Sequence, residues 1–273
     1  MMRTVHGVHE LRATVPTGPI LVMSPHFDDA ALSCAALLER HEPITVYDVF
    51  TQRPEPEQVT DWDTRCGFAG SNEAIDARWA EEHDAFEGSP HVVAAVDLLE
   101  GQYRTGMRDP RDTERVISAI DSWIAENAAS GPVTVALPVG AGSPLGVPTS
   151  FVTRLRARRA GTFAFSNSRD HVWVRDTALE HLRASPEVSI WLYEEYPYQF
   201  AMGGERVVPA IETWMERTAA LRVLPVDRGL KAQRVAAYTS QLGLLFRSTG
   251  ARAIERALPR VERYWELSPR DSA

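Results

Sequence analysis

Residues 26–29 place an imidazole and two adjacent carboxylates within one short segment, Ser24-Pro25-His26-Phe27-Asp28-Asp29. Neighbouring side chains leave the start of a helix about 100° apart, from about 3.6 residues per turn. Asp28 and Asp29 therefore cannot easily do the same job on one ion. The natural division puts Asp29 with His26 on a metal and turns Asp28 toward a bound water. Imidazole plus carboxylate suits Zn²⁺, and Fe²⁺ or Co²⁺ would accept the same donors. The plain alternative is local: two acids capping a helix, where the dipole favours them, and a histidine hydrogen-bonded nearby.

Such a segment needs elements to hold it. Residues 19–23 form a continuous apolar run, the pattern of a strand buried on both faces. The spacing then predicts a helix over 28–40, a strand over 44–51, a long loop over 53–70 and a helix over 71–86 capped by Ser71 or Asn72. A strand near 91–98, a helix over 113–128 and a buried strand over 133–137 follow, the last ending at Pro138-Val139-Gly140-Ala141-Gly142. Beyond lie a helix over 171–184, a strand over 188–193, helices over 211–221 and 230–246, and a terminal helical segment. Alternating strands and helices predict an α/β fold with a mainly parallel sheet and crossover helices. Ligands of such sheets sit at the carboxyl ends of strands, where residues 24–29 fall. Gly140-Ala141-Gly142 also follows a strand but lacks the spacing of a dinucleotide-binding loop.

At 273 residues, 44% hydrophobic and 24% charged, the chain has the balance of a globular protein able to bury a large core. A net charge of −8 argues against a general nucleic-acid surface. No apolar stretch reaches the roughly 20 residues of a membrane span. The N-terminal segment lacks a signal-peptide core, so a cytoplasmic location is expected. The two cysteines, Cys34 and Cys66, read as free thiols. The oligomeric state is left open, a homo-oligomer included.

The segment Ser24 to Ser33, SPHFDDAALS, resembles the first motif of the LmbE-like, or PIG-L, zinc-dependent N-deacetylases, in a bacterial branch that reads SPHLDDAxLS. Further matches follow in order. Trp62-Asp63, Gly67-Phe68, Arg78 and Glu81 are similar to a stretch after the second strand. Asp170-His171 with Val174-Arg175-Asp176 is similar to the second motif, HxDHxxVRD. Tyr193-Glu194-Glu195-Tyr196-Pro197-Tyr198 resembles YEDLPY, and Lys231 with Tyr238, Ser240 and Gln241 resembles a late K…YxSQ signature. The matches span residues 18–265. The resemblance implies one Rossmann-like domain over 1–273, with helices on both faces of the sheet and a C-terminal helical or mixed cover over about 200–273. It implies one Zn²⁺ per chain on His26, Asp29 and His171, with Asp28 as general base. The implied partner is a small molecule, an N-acylated amino sugar, a glycoconjugate or a related secondary metabolite.

Two departures stand out. Ala30 replaces the family's glutamate after the acid pair. Ser168 replaces the histidine that opens the second motif and assists the oxyanion or the leaving amine. Arg169 could serve the oxyanion as a cation but is too weak an acid to donate a proton. Losing a transition-state donor costs ~10²–10³ in rate, so a metal- or ligand-binding protein of weak or altered catalysis is the alternative reading. Asp170 is expected to orient a histidine by hydrogen bonding. Arg78 and Glu81 stand three apart, as an intrahelical pair or as site contacts. Trp62, Trp173 and Tyr198 offer a hydrophobic rim or ordinary packing. Arg154, Arg156, Arg158 and Arg159 suit a solvated face or an anion grip. The segment 143–167 reads as an insert, a lid over the pocket. The histidines at 6, 9, 41, 83, 91 and 181 carry no motif.

Overall fold

The computed structural model describes residues 15–40, 42–142, 150–163 and 168–270. Expectations for the amino terminus, for His6, His9 and His41, and for 143–149 and 164–167 of the insert fall outside the described residues.

Among the described residues, one seven-stranded sheet is formed by β1 (Ile20–Ser24), β2 (Ile44–Asp48), β3 (Val92–Ala95), β4 (Thr134–Pro138), β5 (Ser189–Tyr193), β6 (Arg217–Pro225) and β7 (Val261–Pro269). Its order is β3-β2-β1-β4-β5-β7-β6, parallel up to β5 and antiparallel over the last two pairings. The first five strands have the doubly wound order, which places the switch of direction between β1 and β4. The fold is thus the α/β architecture expected from the alternation of elements.

Helices cover both faces. Strand side chains alternate with period two: Leu21, Met23, Val135, Leu137, Ile190 and Leu192 pack on one side with Val116, Ile120, Val174, Leu179 and Ile211. Ile20, Val22, Ala136, Trp191 and Tyr193 pack on the other with Ala31, Leu37, Phe86 and Tyr238. The first face carries α5 (Pro110–Asn127), α7 (Arg169–Leu182) and α8 (Val208–Met215); the second carries α1 (Asp29–Ser33), α2 (Ala35–Leu38) and the end of α4 (Ser71–Phe86). Among the described residues no helix is long and apolar enough to cross a membrane.

Several boundaries differ from the expectations, each for an identifiable reason. The helix expected over 28–40 breaks at Cys34, because the amides of Ala35 and Ala36 donate to Glu262 (3.0 and 2.8 Å). The loop expected over 53–70 contains α3 (Asp61–Cys66), started by a reciprocal cap between Thr60 and Asp63 and ended by Gly67 at φ 92°. The cap of α4 is Gly70 rather than Ser71 or Asn72. The helix expected over 211–221 stops at Met215, where Glu216 turns left-handed at φ 55°, and the chain continues as β6. The expected 230–246 helix divides into α9 (Arg228–Val235) and α10 (Thr239–Leu245), since Glu81 captures Ser240 N (2.7 Å). The terminal segment is α11 (Ala251–Ala257) followed by β7. Residues past 200 are therefore not only a cover: β6 and β7 extend the sheet itself. The basic run of the insert lies on α6 (Phe151–Arg159).

Candidate metal centre and pocket

His26 follows β1 directly. Ser24 donates from its hydroxyl to the His26 carbonyl (2.6 Å) and accepts from Ala30 N (3.2 Å), so the turn into α1 is closed by its own side chain. Asp28 stands at the cap of α1, yet its carboxyl makes no capping bond. Asp29 accepts from His26 N at 2.9 Å through Oδ2. That oxygen also lies 3.2 Å from His26 Nδ1 and 3.1 Å from His171 Nε2, and the two ring nitrogens are 3.2 Å apart. Residues 145 positions apart thus present three donor atoms in a nearly equilateral triangle. Bonds of about 2.0–2.1 Å to a tetrahedral Zn²⁺ would set donors about 3.3 Å apart. The spacing fits such an ion; His26 and Asp29 also meet through the local hydrogen bonds of the alternative reading, which gives no place to His171.

The surroundings favour positive charge. Burial opposes protonation of both imidazoles, but acids outweigh it. Glu100, Asp170 and Asp29 push His26 well above its ordinary value, and Asp29 with Glu195 raises His171 to about 9. Burial would also raise Asp29; His171 and His26 overcome it and hold that carboxyl far below the usual range. A divalent cation would displace these protons. Asp28, by contrast, is pushed up by burial and by Asp29, against Arg78 and His26. The two neighbouring carboxyls are thus pushed in opposite directions.

Further groups hold the histidines. The Nδ1 of His171 lies 3.3 Å from Glu195 Oε1. Glu195 is fully buried and accepts from the amides of Gly140 (2.8 Å) and Ala141 (3.1 Å). The glycine-bearing loop after β4 therefore grips a carboxylate of the protein. Gly140 has φ 78°, and a side chain there would strike Arg175, which donates to the Val139 carbonyl (2.6 Å). On the other side, His26 Nε2 is buried without a hydrogen bond and lies 3.6 Å from both Glu100 Oε1 and Asp170 Oδ2. Burial raises Asp170, but His26, Arg108 and the Gly101 amide bring it down to about 2.

A pocket of about 260 Å³ opens beside the triangle, lined by Asp28, Arg78, Glu100, Gln102, Ser168, Tyr198 and Trp62 among others. A larger groove of about 670 Å³ beside β2 and β3 shares none of these residues. Among the described residues, the two clusters able to hold a metal both include His26.

The structure brings together His26, Asp28, Asp29, His171, Ser168, Asp170, Arg78, Trp62 and Tyr198. It leaves others apart. Arg169 is exposed at the start of α7 and does not line the pocket, because the first turn aims Asp170 and His171 inward instead. Trp173 stacks on Arg108 outside the pocket lining. Arg78 and Glu81 do not pair: Arg78 lies 3.8 Å from Asp28 and 3.4 Å from Glu100, while Glu81 caps α10. Arg154, Arg156, Arg158 and Arg159 are exposed on α6, and both cysteines are free. Sequence reasoning missed Glu100, Arg108 and the bond from Glu195 to His171. Only the resemblance at Tyr193 to Tyr198 touched Glu195, and no local signal marked the other two.

No protein-family model matches the chain, and no curated protein is significantly similar to it. Solved structures do resemble it. The zinc-inhibited form of teicoplanin deacetylase Orf2 superposes with a TM-score of 0.65 at 21% identity, covering 93% of this chain and 100% of that one. The A40926 pseudoaglycone deacetylase Dbv21 gives 0.61 at 19% identity, covering 93% and 98%. The 4-carboxy-2-hydroxymuconate hydratase GalB of Pseudomonas putida KT2440 gives 0.52 at 15%, covering 94% and 99%. At these identities the likeness establishes the fold. A deacetylase and a hydratase share it, so the reaction must be argued from the site.

Proposed function

We propose that this chain is a metal-dependent N-deacetylase of the LmbE/PIG-L type, which removes an acyl group from an N-acylated amino sugar carried on a glycoconjugate or glycosylated secondary metabolite. The observation that carries the reading is the triangle of His26 Nδ1, Asp29 Oδ2 and His171 Nε2, with edges of 3.1–3.2 Å, beside a pocket lined by the carboxyl of Asp28. The deacetylase neighbours acting on teicoplanin and A40926 pseudoaglycone support the substrate class.

Zn²⁺ held by the three residues would lower the pKa of water to about 7 and polarise an acyl carbonyl. Asp28 takes the proton of the attacking water and returns it to the leaving amine. Its raised affinity for protons suits both steps. Ser168 accepts from Asp170 N (3.2 Å), which leaves its O–H to donate into the pocket where the family has a histidine. Arg78 and Glu100 offer a donor and an acceptor to sugar hydroxyls, and Trp62 an apolar wall.

The test combines metal analysis of the purified protein with acetate release from N-acetylglucosamine and its aryl and glycopeptide conjugates. Stoichiometric metal and acetate release, cut ~10²–10⁴-fold by Asp28→Asn with metal retained, is the expected result. Absence of bound metal after growth with zinc would end the proposal. Ser168 gives one reason for a second reading, a metal-binding relative of low activity, which predicts stoichiometric metal and no acetate from any conjugate.

A further inference from the structure

The side of His26 that faces away from the triangle looks onto an arrangement that the reading above does not use. Asp170 accepts from Gly101 N through Oδ2 (2.9 Å) and pairs through Oδ1 with Arg108. Arg108 is fixed in turn. Its guanidinium lies 4.3 Å from the ring centroids of both Phe50 and Trp173, and it donates to the Leu99 carbonyl (3.2 Å). An arginine clamped between two aromatic faces has little freedom to turn. Gly101 has a separate role: a Cβ there would lie 2.8 Å from both oxygens of Asp170, so only glycine lets the carboxylate approach. Asp170 therefore has both oxygens placed, with Oδ2 3.6 Å from His26 Nε2.

We propose that Arg108 and Gly101 are positioning residues for the metal ligand His26, acting through Asp170. An imidazole is rigid, so the carboxylates that face Nε2, Asp170 and Glu100 at 3.6 Å each, set the direction of Nδ1, the nitrogen that enters the triangle, and Asp170 is the one fixed through Arg108 and Gly101. Asp170 also immediately precedes His171 in the first turn of α7. The clamp thus fixes both histidines against one reference, the rings of Phe50 and Trp173. The inference rests on the metal-site reading of the previous subsection.

Cobalt titration of the metal-free full chain tests it, reading affinity, stoichiometry and the visible spectrum at saturation. Wild type should take one Co²⁺ per chain. Arg108→Met, which keeps apolar volume between the rings, and Gly101→Ala, which displaces the carboxylate, should each weaken binding ~10–100-fold and change the saturated spectrum. Arg108→Lys should recover part of the loss. If Arg108→Met and Gly101→Ala bind Co²⁺ with wild-type affinity and spectrum, even while melting at lower temperature, the clamp is merely structural and the proposal falls. A second Co²⁺ per chain that disappears in Asp170→Asn would make the carboxylate a ligand and also overturn it. No Co²⁺ on wild type would instead remove the metal-site reading itself.

Discussion

Replacing Lys231 by Met should lower the stability of the whole chain, although Lys231 does not line the pocket. Its ammonium is fully buried and donates to Glu262 Oε1 at 2.6 Å. Glu262 also accepts from Ala35 N (3.0 Å), Ala36 N (2.8 Å) and the Tyr264 hydroxyl (2.6 Å), so it joins α9, the break between α1 and α2, and β7. Removing one partner of a buried pair costs about 3–5 kcal/mol, because the other charge stays buried. The three remaining donors place the loss near the lower end, about 3 kcal/mol. At roughly 2–4 °C per kcal/mol for a chain of this size, the melting temperature should fall by about 6–12 °C. Circular-dichroism melts and urea titration would measure it. The double variant Lys231→Met/Glu262→Gln should lose less than the sum of the single variants. A Lys231→Met melt within about 2 °C of wild type would refute the argument that this pair anchors the helix bearing Asp29.

Glu195→Gln should weaken metal binding ~10–100-fold by loosening His171, measured by competition with a chelator. Removing metal with a chelator should abolish acetate release while leaving the far-ultraviolet spectrum intact, and Zn²⁺ or Co²⁺ should restore it; failure of both to restore activity would count against the site. Asp48 and Glu82 are fully buried; burial, reinforced by Glu82, pushes Asp48 well above its ordinary value, and burial pushes Glu82 up against the hydrogen bond from Tyr238 (2.6 Å). The folded state therefore keeps protons that the unfolded chain has released. Their stabilisation is complete below about pH 4 and fades as pH rises through the raised values. In thermal melts from about pH 4 to pH 9, Asp48→Asn should flatten this decline, and an unchanged slope would contradict it.

What is local can be read from residue order. The apolar run of β1, the place of residues 24–29 at its carboxyl end and the angular separation of Asp28 from Asp29 follow from residues within one strand and one helical turn, and they predict an acid on each side of a common task. The α/β class was equally legible, because strands buried on both faces and amphipathic crossover helices leave different periodicities. Tertiary structure alone decided the rest. His171, which only the family resemblance had pointed to, reaches the triangle across 145 positions. The Gly140–Ala141 loop serves Glu195, and Glu81 belongs to α10 and not to Arg78. At the edge of the sheet, β6 and β7 are half-buried, so their period is weak, and only pairing with β5 makes them strands. The physical reason is common to all of these. A buried carboxylate or amide must find its partner in space, and sequence separation carries almost no information about which partner that is.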